Sequence, residues 1–164
     1  MDAVLALGSN LGDRLATLQS AVDALRAVVG IEVTAVSPVV ETDPVGGPEQ
    51  PDYLNAVVLV RTTLEPEVLL TRCQRIEAEH GRVRETRWGP RTLDIDLIAV
   101  GDRRHSSDRL ELPHPRAAER AFVLVPWSDL DPAAWVAGVG SVAELARSAP
   151  DLAGVRRRPE LVVR

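Results

Sequence analysis

The sequence predicts an α+β sandwich, with helices laid on a central antiparallel sheet. Three observations predict it. Apolar runs of strand length and two segments with apolar residues three and four apart follow the order strand, helix, strand, strand, helix, strand. Glycine- and proline-rich turns separate them. The 164 residues, 45% hydrophobic and 26% charged, suffice for one buried core and are most simply one domain over residues 1–164. That element order is the one of a ferredoxin-like βαββαβ sandwich with a central antiparallel sheet and short C-terminal additions.

The elements follow in order. Val4 to Leu7 is a short apolar run, read as a buried strand, and Gly8-Ser9-Asn10 as a turn with an N-cap. Leu15, Leu18, Val22, Leu25 and Val29 mark an amphipathic helix ending near Gly30. Glu32 to Thr42 reads as one strand with an edge or bulge at Pro38. Residues 43–52, with three prolines and two glycines, form a stiffly kinked connection. Tyr53 to Val60 is a strand with Tyr53, Asn55, Val57 and Leu59 on one face. Pro66 opens a second helix, whose inner face carries Leu69, Cys73, Ile76 and His80 and which Gly81 ends. Taken alone, Gln74 and Glu77 on that helix read as solvated, and His80 as a favourable C-terminal charge. Leu93 to Val100 is a strand, Gly101 to Ser107 a polar turn, and Arg116 to Arg120 a helical turn or two. Ala121 to Pro126 reads as a last central strand, Val142 to Leu152 as a short helix, and Arg156 to Arg158 as a solvated tail.

The chemistry concentrates in Arg82 to Val100. A basic loop with Arg82, Arg84, Arg87 and Arg91, interrupted by Trp88, Gly89 and Pro90, runs into the strand holding Asp94 and Asp96. Alternation puts the two carboxylates on one face, roughly 7 Å apart at ~3.3 Å per residue. Leu93, Ile95, Leu97 and Ala99 point the other way, into a core. Mg²⁺ favours one or two carboxylates plus substrate phosphates, and arginine forks match phosphate oxygens. Tyr53 and Asn55, two residues apart on one face, can grip a flat heterocycle by stacking and edge hydrogen bonds.

All 19 basic residues are arginine, which excludes a P-loop or kinase-strand lysine. Residues 82–120 hold nine arginines against seven acids inside a chain of net charge −5. A locally basic middle suits a small anion better than nucleic acid. No apolar run approaches the ~18 residues of a membrane span, the N-terminus lacks signal-peptide character, and one cysteine, Cys73, fits a reducing cytoplasm.

The ungapped run R-W-G-P-R-T-L-D-I-D-L-I resembles the signature of the 6-hydroxymethyl-7,8-dihydropterin pyrophosphokinase family. The opening G-S-N-L-G-D-R and the L-x-x-P-H…R-x-F-V-L-x-P pattern over Leu110 to Pro126 are similar to the same family, with Glu111 and Pro115 departing from its common residues. The resemblance implies transfer of the β,γ-pyrophosphate of ATP to the hydroxymethyl group of the dihydropterin, releasing AMP, in folate biosynthesis. It implies two Mg²⁺ ions on Asp94 and Asp96, and Arg82 and Arg91 beside the reacting phosphates as the other catalytic residues. ATP would meet Gln74, Glu77, Arg84, Trp88, Arg91, Leu97, Arg109, His114 and Arg120. The pterin would meet Thr42, Pro44, Val45, Tyr53, Asn55, Asp94 and Phe122, sandwiched between Tyr53 and Phe122. ATP and the dihydropterin are then the partners, with no nucleic acid, membrane or obligatory protein among them, and the location is cytoplasmic. A sugar-nucleotide transferase using D-x-D would leave Tyr53, Asn55 and Phe122 unexplained. An RNA-binding module would put its aromatics inside a basic sheet face, whereas the strand here is acidic.

Overall fold

The computed structural model describes residues 1–44, 47–81 and 92–164. Its elements are β1 (Asp2–Ser9), α1 (Arg14–Arg26), β2 (Ile31–Val36), β3 (Val40–Thr42), β4 (Tyr53–Thr62), α2 (Pro66–Glu79), β5 (Asp94–Val100), β6 (His105–Ser106), β7 (Glu111–Leu112), α3 (Ala121–Leu130), β8 (Trp135–Val136), β9 (Gly140–Ser141), α4 (Val142–Ser148) and β10 (Val155–Arg157), with 3-10 turns at Ala117–Glu119 and Leu152–Gly154. The main sheet runs β10-β3-β4-β1-β5, with β2 also on β4, and all its neighbours are antiparallel. β6 with β7 and β8 with β9 form small ribbons.

Each face of the sheet is covered. On one, Leu5 and Leu7 of β1, Val58 of β4 and Ile95 of β5 meet Leu18, Val22 and Leu25 of α1 and Leu69, Cys73 and Ile76 of α2. On the other, Ala6, Val57 and Ile98 meet Val123, Leu124 and Trp127 of α3 and Val142 and Ala146 of α4. A strand buried on both faces reads as a continuous apolar run, which is why Val4 to Leu7 shows no alternation. The capped starts explain the helices. The Asp13 side chain accepts from Ala16 N at 3.1 Å before α1. Pro66 takes the first turn of α2, where its missing amide costs nothing.

Several sequence expectations change. Ala121 to Pro126 is the first part of helix α3, not a strand. Ala121 and residues 123–127 are all buried, so the helix has no polar stripe to show a 3.6 period, and its valines favour a strand reading. What starts it is tertiary: the Asp151 carboxylate accepts from Ala121 N at 2.7 Å. The segments after β5 are thus not short additions, because α3 and α4 build a second core layer. The expected strand Glu32 to Thr42 is two, β2 and β3, joined at Ser37. That residue keeps contact with β4 by accepting from Val57 N at 2.8 Å through its hydroxyl and donating its own amide to Val57 O at 2.9 Å. α1 ends at Arg26, and Val29, off its stripe, is 91% exposed. Gly8 and Ser9 belong to β1 and Asp13 is the cap, so Gly8-Ser9-Asn10 is not the capping turn.

The tail 156–158 is also ordered: β10 pairs with β3, Arg156 opposite Glu41. Finally, Ala99 faces the α3 core, not the α1/α2 core. Leu5 pairs with Leu97 but Val4 with Ala99, so Ile98 is an extra residue, a β-bulge that reverses the alternation.

Candidate active site

The central strand sets the geometry. Gly8 of β1 pairs with Asn55 of β4 on one side and Asp94 of β5 on the other, and the next site-facing residue, Ala6, pairs with Asp96. Side chains two apart share a face, so Asn55, Asp94 and Asp96 rise from the same face, around Gly8 and Ala6 of β1. Thr42 pairs with Tyr53 on the same face. The buried Asn55 donates from Nδ2 to Thr42 Oγ1 at 2.7 Å. A Cβ on Gly8 would stand 2.8 Å from Asn55 Oδ1 and 3.4 Å from Tyr53 Cδ1. The hollow over Gly8 is therefore where the amide oxygen and the tyrosine ring sit, and glycine is required for space.

The ends of the 43–52 connection are held to this floor. Asn10, buried beside β1, donates from Nδ2 to Gln50 Oε1 at 2.9 Å and to Pro51 O at 2.9 Å. Arg14 Nη1 reaches Asp52 O at 2.9 Å and Glu41 Oε2 at 2.7 Å. The Gly-Ser-Asn stretch thus serves as an anchor for the connection, a role visible only once the chain is folded.

Above the carboxylates lies the start of α3. Arg120 Nη1 is 3.8 Å from Asp96 Oδ2, and its guanidinium lies over the Phe122 ring, 5.7 Å from the centroid. Burial pulls the Arg120 pKa below its ordinary value, and the Asp96 charge opposes that. The Asp96 side chain is 41% exposed, open to a further ligand. Burial likewise lowers the His114 pKa against the pull of Asp96. Its Nδ1 accepts from Arg116 N at 3.2 Å, which puts the proton of the neutral ring on Nε2. The His114 amide donates to Ile98 O, at the bulge, at 2.8 Å.

The donor set fits Mg²⁺. It offers two hard carboxylates on one face and, among the described residues, no group of three metal-binding side chains. Among the described residues the two carboxylates stand without a protein cage, and phosphate oxygens and water would supply the remaining ligands.

The other candidates divide. Glu77 is not solvated: it is 4% exposed and accepts from Ile95 N, between the two aspartates, at 2.9 Å. The signal was present, since Glu77 lies four residues after Cys73 on the buried stripe. Gln74 is exposed on α2. Arg109 donates to Thr71 Oγ1 at 2.9 Å, one turn before Gln74, so the two flank one side of α2. Leu97 is 3% exposed on the opposite face, in the α1/α2 core. Pro44 is half-buried just after Thr42. Val45, Arg82, Arg84, Trp88 and Arg91 lie outside the described residues. His80 is tied by Nδ1 to Ile76 O at 2.8 Å and by Nε2 to Ser20 Oγ at 2.9 Å, linking α2 to α1.

Comparison with known proteins gives a consistent result. Residues 4–132 match the family model described as 7,8-dihydro-6-hydroxymethylpterin-pyrophosphokinase (HPPK). The chain is similar to the 2-amino-4-hydroxy-6-hydroxymethyldihydropteridine pyrophosphokinase of Methylorubrum extorquens, 50% identical over 130 residues covering 79% of this chain and 82% of the relative. It is similar to the protein of the same name from Pseudomonas aeruginosa, 41% identical over 155 residues covering 94% and 95%. The Bacillus subtilis protein of that name is 46% identical over 128 residues, covering 78% and 77%. Among solved structures, an HPPK-DHPS complex with substrates superposes with a TM-score of 0.70 at 14% identity over 90% of this chain. A Plasmodium falciparum HPPK-DHPS triple mutant does so with 0.74 at 14% identity over 95%. This chain spans 43% and 46% of the lengths of those two proteins, and the likeness bears on the fold alone.

Proposed function

The chain belongs to the 7,8-dihydro-6-hydroxymethylpterin-pyrophosphokinase family, and from that membership we propose how its own residues divide the transfer of pyrophosphate from ATP to hydroxymethyldihydropterin. The pterin ring lies between Tyr53 and Phe122, with the Asn55 amide and Thr42 at its edge and Pro44 and Val45 beside it. The triphosphate lies over Asp94 and Asp96, with Arg120, His114 and Arg109 contributing donors and Gln74 and Glu77 on the nucleotide side. The family resemblance assigns Arg82, Arg84, Arg91 and Trp88, which lie outside the described residues, to the nucleotide as well. Mg²⁺ held by Asp94 and Asp96 would neutralise charge on the phosphate oxygens and orient them.

The observation that supports this best is the pairing at Gly8. Asn55 and Asp94 flank one glycine, each a strand spacing of about 4.8 Å away. A ring held at Asn55 therefore presents its substituent to phosphates held at Asp94. Proximity of that kind supplies much of the rate in a reaction with no covalent protein intermediate. Arg120 is pre-organised by burial, its ring contact and Asp96, so it costs little reorganisation as charge develops. Neutral His114 offers an Nε2–H donor. No described side chain is placed as a general base, and orientation of the hydroxyl is the chain's main contribution.

The strand order β5-β1-β4 with β2 and β3 beyond supports the ferredoxin-like reading, with residues 1–164 as one domain. Burial pushes the Cys73 thiol up to about 12, so it stays protonated and unreactive. The family match displaces the sugar-nucleotide transferase and RNA-module alternatives. Incubation with ATP, Mg²⁺ and 6-hydroxymethyl-7,8-dihydropterin should yield AMP and a diphosphorylated pterin, and EDTA should stop it. ADP as the main nucleotide product, or turnover unaffected by EDTA, would refute the assignment.

A further inference from the structure

Arg156 stands on β10, beyond the residues that the family match covers. Its guanidinium bridges two carboxylates nine residues apart: Nη1 to Asp43 Oδ1 at 2.9 Å and Nη2 to Asp52 Oδ2 at 2.9 Å. Those aspartates are the two ends of the connection between β3 and β4. Asp43 follows Thr42 and Asp52 precedes Tyr53, and Thr42 and Tyr53 face each other across the two strands.

The backbone repeats the same tie. Asp43 N donates to Gly154 O at 3.1 Å, and a Cβ on Gly154 would meet Asp43 Oδ2 at 3.1 Å. Two residues earlier Glu41 takes Arg158 Nη1 at 2.7 Å and Arg14 Nη1 at 2.7 Å. β10 and the residue after it therefore bring Arg156 and Arg158 to the acids at the mouth of the connection.

We infer that Arg156 is a positioning residue for the pterin: by forking between Asp43 and Asp52 it holds Thr42 and Tyr53 at the separation the ring requires. This rests on the pterin site read above. The Arg156 side chain is 43% exposed, and an ion pair at such a position adds little to global stability. The bridge's effect belongs to the distance between the two chain segments. A planar fork can serve both carboxylates at once, whereas a lysine ammonium is a single point charge on a flexible stem.

The test compares wild type, R156A, R156K and Y53A, measuring KM for the dihydropterin, KM for ATP, kcat and the melting midpoint. R156A should raise the pterin KM roughly five- to tenfold. The ATP KM and kcat should stay within about twofold, and the midpoint within about 3 °C. R156K should restore only part of the pterin KM. Y53A is the reference for the site itself and should raise the pterin KM. An unchanged pterin KM in R156A beside a raised one in Y53A overturns the inference alone. An unchanged pterin KM in Y53A overturns the site reading and the inference with it. Equal losses in both KM values, a large fall in the midpoint, or complete rescue by R156K shows general charge or folding support and also overturns it.

Discussion

The role proposed for Asp94 and Asp96 rests on formal charge on a shared face, so Asp94→Asn and Asp96→Asn should each lower turnover by about a hundredfold or more at unchanged shape. Circular dichroism melts should match wild type, and Mg²⁺-dependent activity near normal in both variants would remove their role. Gly8 makes a sharper demand. In Gly8→Ala the new Cβ meets Asn55 Oδ1, 2.8 Å away, and the amide cannot yield freely because its Nδ2 is bonded to Thr42. The pterin KM should rise well above the ATP KM, and equal values to wild type would mean that the amide does not meet the ring. At this scale the sequence was uneven. Alternation put Asp94 with Asp96 and Tyr53 with Asn55, because those pairs lie within one strand. Gly8 and Arg156 stayed hidden, because each acts on a residue of another element, whereas the burial of Glu77 was legible from its place on the Cys73 stripe.

The same division holds among elements. β1 and β4, buried on both faces, show as apolar runs of strand length, and α1, α2 and the first part of β5 each show one period, so the sequence displays them. α3 does not: buried around most of its circumference, it carries Pro126 inside and takes its N-terminal acceptor from Asp151, thirty residues later. Removing that acceptor tests the account. Asp151→Ala leaves Ala121 N without its partner and should cost about 1–2 kcal/mol of stability, read as a lower urea midpoint with unchanged m-value. Since Arg120 and Phe122 flank that amide, activity should fall with it. An unaltered midpoint would show that water replaces the carboxylate there. β10 was hidden for another reason. Three consecutive arginines look like solvent-facing charge until the acids of β3 and the connection are folded opposite them.

Taken whole, the main sheet lies between two cores, and an acid-sensitive carboxyl sits at the seam where β10 joins. The Arg14 hydrogen bond, aided by Arg158, holds the Glu41 carboxyl below its ordinary value of 4.5. A depressed folded-state value means stability that is fully present above 4.5 and lost as pH falls through the lower folded value. Wild type should therefore melt above Glu41→Gln near neutrality, and the gap should close below pH 4.5; a gap constant from pH 7 to 3 would deny the linkage. The bulge at Ile98 carries a different consequence, about length. In a pleated strand, losing one residue exchanges inside for outside all the way to its end. β5 is exempt at one place, because Ile98 is already supernumerary to the ladder on β1. Deleting it leaves Asp94, Asp96, Leu97, Ala99 and Val100 on the faces they now occupy. The deletion variant should fold, at lower stability and without the carbonyl that receives the His114 amide, whereas deletion of Val58 from the opposite neighbour β4 should not yield soluble protein. The strand bearing Asp94 and Asp96 can thus change its residue count by one while the reading frame of its pleat survives.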